Sequence, residues 1–145
     1  MSTIPYRQHA RLQGERIAAV VAATGFGALG VFQLALALGA PWGHAAWGGD
    51  SAALTSGQRF GSAVSVFFYA AAAAVVLARG GVTRWPRSGS VLRWGPWVLT
   101  VLLAVGALPN VASQSHWENY LLGPLALVLA ALCAVVARAP QPHDT

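Results

Sequence analysis

The sequence predicts an all-α protein, a four-helix transmembrane bundle of antiparallel, up-down topology, and three observations predict it. Of 145 residues, 56% are hydrophobic and 9% are charged, with mean hydropathy +0.55, whereas an ordinary soluble domain carries roughly a quarter charged residues. Four stretches hold no Asp, Glu, Lys or Arg: 17–49 (33 residues), 60–78 (19), 94–117 (24) and 119–137 (19). Each suffices to cross a hydrocarbon core of about 30 Å at about 1.5 Å per helical residue. The nine basic residues, all arginine, stand in short groups between these stretches. Strands are disfavoured, because no run alternates apolar with polar and an open sheet leaves its backbone groups unpaired in lipid.

Residues 1–16 form an N-terminal segment carrying Arg7, Arg11 and Arg16. The first helix is expected over 17–38, closed by Gly39-Ala40-Pro41, where two helix breakers flank one alanine. The basic start and Ala35-Leu36-Ala37 also have the shape of a cleaved secretory signal. The apolar run exceeds a typical signal core and three further spans follow, so the helix is read as retained. Within it, Gly25-Phe26-Gly27-Ala28-Leu29-Gly30 has the glycine spacing of a dinucleotide-binding turn, but that fingerprint needs a strand-to-helix junction and an acidic residue about 20 positions on. Mid-span glycines are read as packing positions instead.

The second helix is expected over 60–78, stopped by Arg79-Gly80-Gly81. The third starts near Trp94 with Pro96 in its first turn and runs to Leu108, or through a kink at Pro109 to 112. The fourth covers 120–137, with Pro124 early and Arg138, Pro140 and Pro142 beyond its end; 139–145 is a short tail. Rows of small residues at four-residue spacing, Ala19/Ala23/Gly27, Ala70/Ala74/Ala78 and Ala126/Ala130/Ala134, are candidate helix contacts, although an alanine-rich chain generates such rows by chance.

Arginine placement sets the expected orientation. Eight of the nine fall on one side of the four spans and Arg59 alone on the other, so the positive-inside rule puts both termini and the 79–93 loop in the cytoplasm of a bacterial plasma membrane. Trp42, Trp47 and Trp117 then mark the outer boundary and Trp85, Trp94 and Trp97 the inner one. A net charge of +5 and pI near 10.7 raise the question of nucleic acid, but arginines split among loops make no phosphate-tracking surface. The expected partners are the lipid bilayer and another membrane protein or further copies of this chain, with no nucleic acid.

Few residues offer chemistry. No nucleophile stands beside a base, no charge lies within a predicted span, and Cys133 is the lone cysteine, so no catalytic residue, metal or cofactor is assigned. A four-span multidrug-type exporter fits the length but requires a membrane-embedded carboxylate; Glu15 sits instead among arginines at the first helix's entrance, and the arginine bias opposes dual insertion. Gln33 and Asn110 are polar groups that hydrocarbon penalises unless they find partners, and a hydrogen bond between them is expected, with a shared polar pocket as the other reading. Tyr69 should point into the bundle. On the outward face, His44, Asp50, His116 and Glu118, with Gln114 and Asn119 nearby, are candidates for a ligand or metal site. Solvated loop side chains is the preferred reading, because His116 and Glu118, two apart, diverge by about 200° on a helix and nothing local brings the two loops together.

Two segments are distinctive: Ala40-Pro41-Trp42-Gly43-His44-Ala45-Ala46-Trp47-Gly48-Gly49, and Asn110-Val111-Ala112-Ser113-Gln114-Ser115-His116-Trp117-Glu118-Asn119-Tyr120 followed by Gly123-Pro124. With the all-arginine, alanine-rich composition, the chain over 17–138 resembles a group of small four-span integral membrane proteins of high-GC actinobacteria. The resemblance implies the fold and brings no activity or ligand; related chains carry a basic residue where His44 and His116 stand here. Trp42 and Trp47 are expected to form a cap at the interface, with Trp117 beneath and a shallow pocket between Gln33, Asn110 and the histidines. The function expected is that of a structural or accessory membrane subunit, with a small-ligand or metal binder in the outward pocket as the alternative and an enzyme acting on lipid or quinone as the least favoured.

Overall fold

The structure, a computed structural model, describes residues 6–49, 51–83 and 89–139, with side chains from residue 11 onward. It is an all-α, four-helix bundle: α1 (Tyr6–Leu38), α2 (Ser56–Arg79), α3 (Ser90–Val111) and α4 (Gly123–Ala137), the last entered through a wide π-type turn, Glu118–Leu122. Among the described residues there are no strands. Each of the four helical stretches is long and apolar enough to cross a membrane. The helices run up and down, with α1 on α2 and α3 on α4 as the closest pairs; α2 and α3 touch far less.

The helices are longer than their charge-free runs. The first begins at Tyr6 rather than 17, because arginine and glutamate are good helix formers and hydropathy marks where lipid contact stops, not where the backbone unwinds. The second begins at Ser56 rather than 60, because Thr55 and Gln58 form a reciprocal capping box: Gln58 N–H donates to Thr55 Oγ1 at 3.3 Å and Thr55 N–H to Gln58 Oε1 at 2.9 Å. The third spans Ser90–Val111, so Pro96 lies beyond its first turn and Pro109 is carried without ending it.

Both glycine stops act through left-handed residues. Gly39 (φ +99°) lets Ala40 N–H reach Ala35 C=O at 2.9 Å, and Gly81 (φ +69°) does the same for Val82 and Leu77, the geometry that satisfies carbonyls left open at a helix C-terminus. Arg59 lies against Gly39 and donates from Nε to Ala37 C=O at 2.9 Å, placing a cation on the negative end of α1. At the opposite end Arg79, buried at the last position of α2, donates to the Ala137 carbonyl at the end of α4 and to the Ala139 carbonyl just past it.

The core is built from small side chains around a few large ones: Ala18, Ala19, Ala22, Phe26, Ala72, Val76, Leu129, Ala130, Cys133 and Val136. Since lipid tails are as apolar as leucine, close backbone approach must hold such helices together, and two glycines provide it. A Cβ on Gly80 would lie 2.4 Å from Ala19 Cβ, and one on Gly25 would lie 2.7 Å from Leu129 Cδ2. Of the predicted small-residue rows, only Ala126/Ala130/Ala134 faces inward throughout. Ala70 and Ala74 are exposed and Gly27 has nothing within 4 Å, because α1 buries the face through Ala18, Ala22, Phe26 and Leu29 instead. Large apolar side chains cover the outside, among them Val31 (69% exposed), Phe67 (76%) and Leu108 (67%), more than a water-facing surface tolerates as a continuous band.

Candidate functional site

Two loops meet over the end of the bundle that carries Arg59. In the first, a short 3-10 turn, Gly43–Ala45, is pinned by Gly43 N–H donating to Ala52 C=O at 2.9 Å. The fit leaves no room for a side chain: a Cβ on Gly43 would sit 2.2 Å from the Ser51 carbonyl oxygen. Trp47, Gly48 and Gly49 then follow one another with φ of +56°, +87° and +80°, a left-handed run that reverses the chain. Glycine adopts this freely, whereas a bulky side chain there costs about 1–3 kcal/mol. Two contacts hold Trp47 in place: its Nε1–H donates to the fully buried Ser62 hydroxyl at 3.1 Å, and its ring rests on Gly61, where a Cβ would come within 2.6 Å.

The second loop answers with Ser113, Ser115 and Glu118. Ser115 caps the entrance to α4, its Oγ accepting from Glu118 N–H at 3.5 Å. Ser-x-x-Glu is the capping-box spacing, yet the Glu118 carboxylate does not turn back to its own cap. Ser113 Oγ takes that role, accepting from Ser115 N–H at 3.0 Å. The freed carboxylate reaches across to the first loop, where both oxygens accept from Gly48 N–H at 3.2 Å, and it also accepts from the Ser113 hydroxyl. Ser115 Oγ completes the joint by donating to the His44 carbonyl at 2.7 Å. The loops therefore converge, which local sequence pattern left open.

Beneath the joint lies a cavity of about 720 Å³, walled by all four helices. Leu29, Phe32, Trp47, Tyr69, Leu103 and Leu122 give it an apolar lining; Gln33, Ser65, Asn110, Gln114 and Glu118 supply polar groups. Its volume and mixed lining match those of small-molecule sites, mostly apolar walls with a few placed polar atoms. Gln33 Oε1 is buried there without a hydrogen-bond partner, although such an atom ordinarily finds one.

The structure thus sorts the sequence candidates. Gln33, Asn110 and Glu118 share the cavity wall. The expected Gln33–Asn110 hydrogen bond is not formed: Asn110 Nδ2 donates to Gly106 C=O at 3.2 Å within α3, because an amide near a helix end can satisfy itself on the preceding turn. His44 and His116 are both exposed and outside this wall; the His44 ring nitrogen Nδ1 pairs with Gly49 C=O at 2.9 Å, and His116 stacks on Tyr120 at 6.1 Å. The pocket expected between Gln33, Asn110 and the histidines is therefore lined by Glu118 and Trp47 in their place. Asp50 lies outside the described residues, as do Arg84, Trp85 and Arg87. Among the described residues no three of His, Cys, Asp and Glu gather as metal ligands. Trp47 borders the cavity, whereas Trp42 stacks on Phe32 at 6.3 Å and shares with Trp117 and His44 a second, apolar groove of about 530 Å³ between α1 and α4.

Sequence reasoning passed over Ser113, Ser115, Gly43 and Gly48. The readable signal was Ser115-His116-Trp117-Glu118, a capping-box pattern ahead of an apolar run. No family model, no curated protein and no solved structure matches the chain, so the functional reading stands on this geometry.

Proposed function

We propose that this chain is a multi-pass protein of a bacterial plasma membrane that binds a small ligand in the cavity beneath the joined loops. The observation that carries the reading is the cavity itself: about 720 Å³, walled by four helices, with a carboxylate, an amide whose oxygen is unpartnered and a few further polar groups set among apolar side chains. The arginine bias supports cytoplasmic termini, which places the cavity toward the outer face. Reporter domains inserted after Asp50 and after Arg87 are expected on opposite sides of the membrane, the former outside; finding both on one side overturns the topology.

Filling the cavity tests the binding role. Wild-type protein extracted in native lipid discs is expected to retain a stoichiometric small molecule by mass spectrometry, and Ala126→Trp, which projects a ring from the cavity wall, is expected to lose it while keeping its helical spectrum. A wild-type cavity that retains nothing would sink the reading.

A second reading, an accessory subunit that packs against another membrane protein or a copy of itself, is favoured by the loosest pair of consecutive helices. Between α2 and α3 runs an apolar groove of about 420 Å³ past Ala71, Ala72 and Gly95, small residues of the kind that admit a neighbouring helix. Isolated monomer at every stage of native-lipid purification counts against it. Both readings sit with the likeness of the loop segments to small four-span actinobacterial membrane proteins.

A further inference from the structure

We infer that the ligand of this cavity is a hydrophobic organic cation carrying at least one N–H, an ammonium head on an aromatic or aliphatic body. This inference deepens the binding role proposed above and rests on it.

Three features of the wall select that chemistry. The first is charge. Glu118 is 8% exposed, and the hydrogen bonds its carboxylate accepts from described residues all come from neutral donors, Gly48 N–H and the Ser113 hydroxyl. Among the described residues no arginine, lysine or histidine lines the cavity. The positive end of the α4 dipole contributes only about half a unit charge. A carboxylate so removed from water, with no full positive charge opposite, leaves an electrostatic demand that a cation meets and an anion aggravates.

The second is hydrogen bonding. Gln33 lines the same wall and its Oε1, out of reach of solvent, has no donor; a turn of the amide offers that acceptor to a ligand N–H, which a ligand oxygen acceptor cannot use. The third is the aromatic surface. Trp47, Tyr69 and Phe32 line the space, and ring faces attract ammonium groups most strongly where water is excluded. An anion fails on the first count, a neutral hydrocarbon leaves Gln33 Oε1 unpaired, and a bare metal ion finds one carboxylate where it needs several ligands.

The test uses three probes with one indole body and different charge: tryptamine (cation), tryptophol (neutral) and indoleacetate (anion). Each is titrated calorimetrically into the full chain in lipid discs, against discs carrying Glu118→Gln, so that partition into lipid cancels. Tryptamine is expected to bind the wild type at least about tenfold more tightly than indoleacetate, and to lose about tenfold in Glu118→Gln, the scale of one charge-assisted hydrogen bond; tryptophol should change little. Because Glu118 also joins the loops, Gln33→Met provides a second variant that leaves that joint intact, and it should weaken tryptamine several-fold with an unchanged unfolding temperature. Equal affinity for all three probes, or a preference for tryptophol or indoleacetate, overturns the cation inference while leaving a ligand cavity in place. Absence of binding by all three overturns both.

Discussion

Gly80→Leu is expected to prise α1 from α2 at the arginine-rich end and to cost about 3 kcal/mol or more, the upper range for overpacking a tight contact. The first atom of the new side chain would fall 2.4 Å from Ala19 Cβ and 3.4 Å from the Glu15 carbonyl oxygen. Ala19 is fully buried and has no rotamer with which to yield, so the helices themselves must move. In lipid they have no hydrophobic drive to return. The displacement would also disturb Arg79, the neighbouring residue, whose guanidinium ties α2 to the chain leaving α4. Thermal unfolding in detergent, followed by helical ellipticity, measures the loss. Gly27→Leu is the control: the same helix-to-lipid chemistry, with nothing within 4 Å of the added carbon, should leave stability nearly unchanged. Equal effects at the two positions would show that close approach is not what joins α1 to α2.

Gly43→Ala is expected to open the loop joint while sparing the bundle. Its methyl would overlap the Ser51 carbonyl oxygen at 2.2 Å and the Ala52 carbonyl oxygen at 2.9 Å. Both are backbone atoms, and Gly43 N–H is itself bonded to the second, so no side-chain rotation relieves the clash and about 2–3 kcal/mol of local stability should go. The Gly48–Glu118 and Ser115–His44 bonds depend on that turn. Hydrogen exchange should therefore rise through residues 43–49 and 113–118, with α2 and α3 protected as before. Gly48→Ala, strained by its φ of +87° but facing open space, should cost less, about 1 kcal/mol. If Gly43→Ala exchanges like the wild type, the turn does not hold the cap.

These effects also mark where the sequence was readable. Four charge-free runs and an arginine bias are averages over many residues, and they survive local error, so the number and type of the helices were legible. Boundaries were not, because single contacts decide them: Thr55 with Gln58 adds residues to α2 that hydropathy ignores. Packing faces were legible only in part, since alanines at four-residue spacing occur on every side of these helices, and Ala70 and Ala74 are exposed while Ala130 faces the core. At the site, the divergence of His116 from Glu118 followed from helical geometry. The pairing of Glu118 with Gly48, 70 positions away, had no local signature, and that pairing is what converts two polar loops into a roof.

The wide turn at Glu118–Leu122 gives this stretch slack in chain length. Glu118, Leu122 and Ala126 all border the cavity, and the turn after the first of them holds about one residue more than an ordinary helix needs, so that Gly123 N–H reaches back five positions to Glu118 C=O. Excising a single amino acid there would make that bond an ordinary four-position one, close the turn into plain α-helix and keep the three side chains within about 60° of one another. A one-codon deletion between Asn119 and Leu121 would thus be gentler on this face than replacing the glutamate, even though it removes a residue.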